Sequence, residues 1–555
     1  MGLPEEIAVL HDETAQLIEG NEEIIPDSFE IGENGWLYKL VEKGTGDNKV
    51  TVPMLITSTP PFITKQYKDI ESSEISYELR FKRNNQVTKI PVQAIDIADS
   101  KNIINLSSKG FDVDAINRLE IVRFISMFKR LNNLTTKQMV SRLGHVKGRF
   151  IHPLIESDVE LIIHEEGYKN LANAFKVKGT LKDYADTVFN EVKSSPMAMM
   201  FMYASLGSVL LHDFDVEPFV VDMASKTSTG KTTALKVAGS VWGTKDLISE
   251  WNTTNSNVER KAEIMNSFPL IYDDTRKAPY YKLADIIYQF TGGRSKGRAN
   301  IHSIDVEKTW HNILISTGET SIVEYGNEKA GIGARVITLQ DEPFTDAISF
   351  SKIYDGIASN HGHLGLAFIK QYQSDKKRYY EVFKGHERMF IDKADGSEVM
   401  ERLGRAFAVL QTAAEILNDI EHFEHNPFKM VNEAYESMKE NNQSIDKPKQ
   451  LLEEIIDKLN ANRGRIAFNK HFFHDNSELM GVYKEDFILV MSPILKEILG
   501  AEFNSIIKQW YERGYLETNK EGKQKNITFY GEPFRGYAIK SEIINKLGYS
   551  FKKES

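Results

Sequence analysis

Phe219-Val220-Val221-Asp222-Met223-Ala224-Ser225-Lys226-Thr227-Ser228-Thr229-Gly230-Lys231-Thr232-Thr233 is the stretch on which the reading of this chain turns. The apolar, β-branched start reads as a buried strand. A loop of small residues follows, and a helix opens at Thr232 and runs on through Ala234, Leu235, Val237 and Ala238. Strand, loop and helix with Gly-Lys-Thr at the turn is the arrangement that cradles phosphate. N–H groups across Ser228, Thr229, Gly230 and Thr233 would wrap the phosphates. Lys231 would reach the β/γ oxygens, and Thr232 would hold Mg²⁺. The expected ligand is ATP with Mg²⁺. Ser225 occupies the place where the common pattern carries its first glycine, and serine does not share glycine's freedom at positive φ.

Two later stretches extend the site. Phe268-Pro269-Leu270-Ile271-Tyr272-Asp273-Asp274 is an apolar strand ending in paired acids. The first acid can hold Mg²⁺ through water and the second can polarise an attacking water, with aspartate standing at Asp274 where glutamate is commoner. Trp310 to Glu319 is a third strand with a polar tip. Thr317 is the candidate to touch the γ-phosphate or the water, and Glu319 is the alternative.

Between these strands, Gly292-Gly293-Arg294-Ser295-Lys296-Gly297-Arg298 reads as a hairpin with a cationic tip. Arg294, Lys296 and Arg298 suit phosphate contact, to DNA or to nucleotide. Arg335, after Ala330-Gly331-Ile332-Gly333, precedes a further short strand. It reads either as an arginine that enters a neighbouring subunit's site or as a structural ion pair.

The whole chain bounds these readings. At 555 residues it holds several domains, and with no cysteine it has neither disulfides nor thiolate sites. The net charge of −10 does not announce a nucleic-acid protein, although a local basic stripe can still track phosphates. The most apolar run, Pro196 to Leu211, is too short to span a bilayer and reads as a core helix. No membrane association and a cytoplasmic location are expected. His422/His425 and His471/His474 have metal-compatible spacing without further ligands, and read as surface histidines.

The expected organisation has four parts. Residues 1–155 form a β-rich domain with strands Trp36–Val41, Val50–Ile56, Ile75–Phe81 and Val87–Val92. A helix from Val113 to Leu131 follows, its apolar residues including Ile116, Leu119, Val122, Ile125 and Phe128. Residues 156–350 are a helical lead-in and an α/β ATPase core, and 351–460 are helical. Residues 461–555 read as a winged helix, with helices Phe487–Leu499 and Glu502–Tyr515, then a strand, a basic turn and a returning strand over Leu516–Phe529. Lys508, Arg513, Lys520, Lys523 and Lys525 would face DNA phosphates.

Ser225 to Thr233, Tyr272-Asp273-Asp274, Gly293 to Arg298, Ser316-Thr317-Gly318-Glu319, Ala330-Gly331 with Arg335, and Asn360-His361-Gly362-His363-Leu364-Gly365 together resemble one family. It comprises the MCM-like replicative helicases of staphylococcal cassette chromosome elements, within a wider group of mobile-element ATPases. The resemblance implies an AAA+ fold with a helical lid, a homohexameric ring, and ATP-driven 3′→5′ unwinding of forked and single-stranded DNA. It further implies Lys231 and Thr232 on phosphate and Mg²⁺, Asp273 and Asp274 as the acidic motif, and Thr317 as sensor. Arg335 becomes the trans arginine, Lys296 and Arg298 the channel hairpin, and Arg405 the lid arginine, ahead of Arg402. An element-encoded polymerase or primase is a candidate partner. The rivals are an initiator that hydrolyses ATP without unwinding and, in another class, a small-molecule kinase.

Overall fold

Five parallel strands form the centre of the molecule, in the spatial order Ile248–Glu250, Leu270–Asp273, Ile313–Gly318, Phe219–Ala224, Val336–Leu339. Phe219–Ala224 is buried along its whole length, as the near-continuous apolar run of a two-sided parallel strand requires. Helices Lys231–Ser240, Asn255–Met265 and Tyr280–Phe290 make the crossovers. Because every strand runs the same way, Ser225, Asp274 and Glu319 all emerge at one edge, where open α/β sheets bind ligands. The computed structural model describes residues 23–278, 280–297, 307–326, 331–344, 348–394, 397–441, 447–469, 479–519 and 522–551.

Pro196–Gly207 lies against the helix Lys231–Ser240 on one side and the helices Glu398–Asn418 and Pro427–Asn441 on the other. Every residue from Met197 to Gly207 is buried. With its continuation to Phe214 the helical run reaches 19 residues, longer than the sequence suggested and long enough to cross a membrane. Its place inside the protein, rather than its length, makes it a core helix.

Two larger sheets and a two-stranded hairpin, Gly144–Val146 with Arg149–Ile151, build the N-terminal part. Phe29–Ile31, Leu37–Lys43 and Val50–Thr57 are antiparallel; Glu160–Leu161, Thr136–Val140, Phe62–Asp69, Ile75–Arg83 and Gln86–Gln93 form a mixed sheet in that order. The helix begins at Arg118, not Val113. Asp114 accepts the N–H groups of Ile116 and Asn117 in a turn, which leaves Ile116 outside the helix and 89% exposed. Leu119 is also exposed, and the face packed inward is Ile121, Phe124, Ile125 and Phe128.

The helical part runs through Phe350–Ser359, His363–Ser374, Lys376–Lys393, Glu398–Asn418 and Pro427–Asn441. A further helix, Lys447–Ala461, sends Leu452, Ile455, Ile456 and Leu459 into a separate core with Trp510 and Ile539. This helix thus shares its core with the C-terminal strands and helices. Phe487–Met491 is a strand rather than the start of a helix, because this short apolar run pairs with Gly536–Lys540. The helix starts at Ser492, with Pro493 in its first turn.

Candidate functional site

Two left-handed turns shape the loop after Phe219–Ala224. Ser228 has φ 66° and Gly230 has φ 98°. At Gly230 a Cβ would also approach Phe344 to 2.7 Å and Phe350 to 2.9 Å, so both conformation and space call for glycine. Ser225 is not among the left-handed residues. Its hydroxyl meets that of Thr229 at 3.0 Å, so serine is accommodated without strain.

The Lys231 ammonium donates to the carbonyls of Ser225 at 2.5 Å and Lys226 at 2.6 Å. Burial pushes its pKa down. Among the described residues it meets no carboxylate directly, which leaves the ammonium open to an anion at the helix N-terminus.

Thr232 opposes Asp273, with Oγ1 at 3.2 Å from Oδ2 and 3.4 Å from Oδ1. The strand Ile313–Gly318 lies between the strand that ends in Asp273 and the strand that leads into the loop, and from it Thr317 donates to Asp273 Oδ1 at 2.6 Å. Thr317 in turn accepts the N–H of Asp274 at 3.2 Å. The sheet order thus brings together Lys231, Thr232, Asp273, Asp274 and Thr317, residues spread over 87 positions of sequence. A hydroxyl beside a carboxylate, next to an amine at a helix N-terminus, is a donor set that fits a triphosphate with a divalent cation.

Asp274 adopts φ 62° and accepts from Arg276 Nε at 2.9 Å and Nη2 at 3.2 Å. That guanidinium holds its carboxyl below the usual range. Arg276 Nη1 also donates to Glu319 Oε1 at 2.8 Å, and the same oxygen accepts from Thr227 of the loop. Thr233 meets the hydroxyl of Tyr354 at 2.7 Å, and Lys236 lies 4.3 Å over that ring. Arg276, Tyr354, Phe344 and Phe350 were not picked out from sequence. Only Arg276 carried a signal, as a cation just past paired acids.

Below this edge, Asp222 is fully buried in the loop's own strand and accepts the N–H of Ile322 at 2.9 Å. Burial pushes its pKa up to about 7.

Arg335 begins the strand Val336–Leu339, at the end of the sheet opposite the loop. Among the described residues its guanidinium meets the Gly331 carbonyl at 3.5 Å and the Tyr288 ring at 4.5 Å, but no carboxylate. Arg405 is placed differently from expectation. Its Nε donates to Glu387 at 2.6 Å and its Nη2 to the Asp215 carbonyl at 3.2 Å. Asp215 precedes the strand whose far end carries the loop, so a six-residue strand, about 17 Å or more, separates Arg405 from that loop. Arg402 faces Glu217 on that same side. Neither reaches the site of its own chain.

Arg294 and Ser295 pair antiparallel with Lys308 and Thr309, forming the base of a hairpin. Arg294 lies 3.7 Å from Glu307, and Lys296 is exposed. Arg298 lies outside the described residues.

In the tail, Leu516–Glu517 and Lys525–Phe529 both pair with Glu532–Lys540. Both lie along one edge of that strand, and the hairpin turn is Tyr530-Gly531, with φ 49° and 91°. Lys525 is mostly buried, 4.4 Å over Phe487 and 3.3 Å from Glu517, and does not face outward as expected. Lys508 pairs with Glu512, Arg513 follows the helix Phe503–Glu512, and Lys523 is half-buried. Lys520, His471 and His474 lie outside the described residues.

One cluster has metal-compatible spacing among the described residues, formed by His145, His212 and Asp213. The two imidazoles stack 4.3 Å apart and nearly parallel, so one atom cannot lie in both ring planes. Asp213 is already bonded to Tyr372 and Lys376 at 2.8 Å each. The group ties three parts of the chain together. His425 is half-buried, its Nδ1 near the carbonyl of Phe423, rather than a plain surface histidine.

A parallel sheet with a lysine-bearing loop, paired acids at its mouth, β-rich N-terminal sheets and a helical C-terminal part defines a multidomain α/β protein. Residues 29–308, just over half of the chain, match the family described as a domain of unknown function (DUF927), and the chain belongs to that family. The match spans both N-terminal sheets and the strands carrying the loop and the acids.

Among solved structures, the SCCmec type IV Cch active helicase shares the fold. It aligns at TM-score 0.70 and 18% identity, over 95% of this chain and 100% of its own. The resemblance to the cassette-chromosome helicases therefore holds at the level of architecture. The apo C-terminal region of NrS-1 aligns over 86% of this chain and 96% of its own, at 12% identity and TM-score 0.32, from which nothing about this chain follows. No curated protein matches the sequence.

Proposed function

We propose that this chain is an ATP-dependent DNA helicase of the AAA+ class, acting as a homohexameric ring in the cytoplasm to replicate a mobile genetic element. The observation that carries the reading is the contact of Thr232 and Thr317 with one carboxylate, Asp273, beside Lys231. The SCCmec helicase fold gives that site its setting.

In this reading Ser228, Thr229, Gly230 and Thr233 wrap the phosphates with their N–H groups, and Lys231 neutralises the β/γ oxygens. Mg²⁺, when bound, would spread the charge that develops during phosphoryl transfer, and Thr232 and Asp273 are the residues to hold it. Thr317 fixes the Asp273 carboxylate, and Asp274 orients the attacking water. Arg335 serves the neighbouring subunit, since it lies at the far end of its own sheet. Helices 350–441 form the lid, and residues 447–551 a winged-helix unit.

The hairpin carrying Arg294, Lys296 and Arg298 contacts single-stranded DNA in the channel, and the tail meets the fork through Lys508, Arg513, Lys520 and Lys523. Movement is 3′→5′, with an element-encoded polymerase or primase as partner.

The test is displacement of a labelled strand from forks carrying only a 3′ or only a 5′ tail, with ATP and Mg²⁺. Unwinding restricted to the 3′-tailed substrate is expected. DNA-stimulated hydrolysis without displacement from any fork would favour the initiator instead.

A further inference from the structure

Arg276 stands three residues past Asp273, in the short turn Thr275–Lys277. Asp274 caps this turn by accepting the Arg276 N–H at 3.3 Å, so the guanidinium extends from a fixed base at the sheet mouth. Two of its three nitrogens bond Asp274 and the third bonds Glu319. Glu319 is itself held by Thr227 of the loop. Arg276 therefore closes a chain of contacts across the tips of three strands, around the space that Lys231 faces. The charges of Arg276 and Lys231 oppose each other, which contributes to the lowered pKa of the lysine.

Charge balance gives this placement a consequence. Asp273, Asp274 and Glu319 supply three carboxylates at the mouth; Lys231 and Arg276 lie among them, while Lys277 is paired with Glu250. A diphosphate can be met by the loop and Lys231 alone. A third phosphate would project from the loop toward Asp274 and Glu319, and like charges there would repel it. Arg276 is half-exposed and already bonded to two of those acids. A guanidinium pairs with phosphate oxygens through the same fork it uses for carboxylates.

We propose that Arg276 is a second cation of the nucleotide site, acting within its own subunit, which exchanges Asp274 and Glu319 for the γ-phosphate. It thereby makes the site discriminate a nucleoside triphosphate from a diphosphate and frees Asp274 to face water. This rests on the nucleotide-binding reading above.

The test is equilibrium binding of a fluorescent Mg-ADP and a non-hydrolysable Mg-ATP analogue to the full chain. The proteins are wild type, Arg276→Ala, Arg276→Lys, and Arg276→Ala combined with Glu319→Gln. Arg276→Ala is expected to lose about 10- to 100-fold in triphosphate affinity, with diphosphate affinity within about threefold of wild type. Arg276→Lys should recover part of the loss, and adding Glu319→Gln should leave most of it. Equal losses for both nucleotides, or full recovery with Glu319→Gln, would overturn the proposal, because the guanidinium would then only neutralise its carboxylate partners. Wild-type protein binding neither nucleotide would overturn the nucleotide reading itself, a result seen before any variant is compared.

Discussion

Thr317 and Asp273 share a hydrogen bond across adjacent strand tips, with the buried threonine hydroxyl donating to Oδ1 at 2.6 Å. The other carboxylate oxygen is left toward Thr232. The same hydroxyl accepts from the Asp274 backbone, so one side chain orients both acids. Thr317→Val keeps the shape and deletes both contacts. ATP turnover should fall by about tenfold or more, the worth of a hydrogen bond to a charged group. Steady-state hydrolysis at saturating ATP checks this, and an unchanged rate would remove Thr317 from the site.

Asp222 makes stability depend on pH. Burial raises its carboxyl from 3.8 to about 7 in the folded chain, with Glu324 adding to the rise. Between those values the folded state holds a proton that the unfolded state has released. Stability therefore falls as pH rises across that window, and levels off above about 7. Asp222→Asn keeps an acceptor for the Ile322 N–H and removes the titration. Relative to wild type, it should gain up to about 1.4 kcal/mol per pH unit through the window. Thermal melts at pH 5, 6, 7 and 8 read the difference, and parallel pH profiles would contradict it.

Lys525 and Lys523 should separate in DNA binding. Lys525 is committed to Phe487 and Glu517, so Lys525→Ala should lower the melting temperature and leave the salt dependence of binding alone. If Lys523 meets a phosphate, Lys523→Ala should reduce the slope of log affinity against log salt by about 0.7. Fluorescence anisotropy with single-stranded DNA over a salt series distinguishes them.

Much of the sheet was legible because its strands are apolar runs ending in polar clusters, and that pattern is local. Lys231, Thr232 and the acid pair are adjacent in motif as well as in space. The placement of Ile313–Gly318 between the loop strand and the acidic strand was not legible, since strand order is set by crossovers that leave no local mark. The contacts of Arg405 were not legible for a related reason. Its helix presents it to Glu387 and the Asp215 carbonyl, and which end of the sheet a helix covers depends on packing as far as 190 residues away in sequence. Phe487–Met491 was misread because five apolar residues suit a buried strand or a helix equally until a partner strand is known. The Tyr530-Gly531 turn lacks the Asn-Gly or Asp-Gly signal, so the neighbouring basic segment looked like the turn instead.

If Arg335 works across a subunit boundary, two inactive variants should complement. Arg335→Ala keeps its own loop, and Lys231→Ala keeps its arginine. Each alone should be nearly silent, while a mixture should recover a measurable fraction of wild-type turnover at interfaces joining the two. Mixtures no more active than the separate proteins would contradict an arginine shared between subunits.

The most direct measurement is ATP hydrolysis with and without single-stranded DNA, comparing wild type with Lys231→Ala. Removing the ammonium from Ser225 and Lys226 leaves the phosphate charge unneutralised while disturbing no ion pair among the described residues. The wild type should hydrolyse ATP faster when DNA is present, and the variant should lose about 10²-fold or more of that rate. A variant that turns over ATP as the wild type does would contradict the assignment of this loop as the catalytic nucleotide site, and with it the motor.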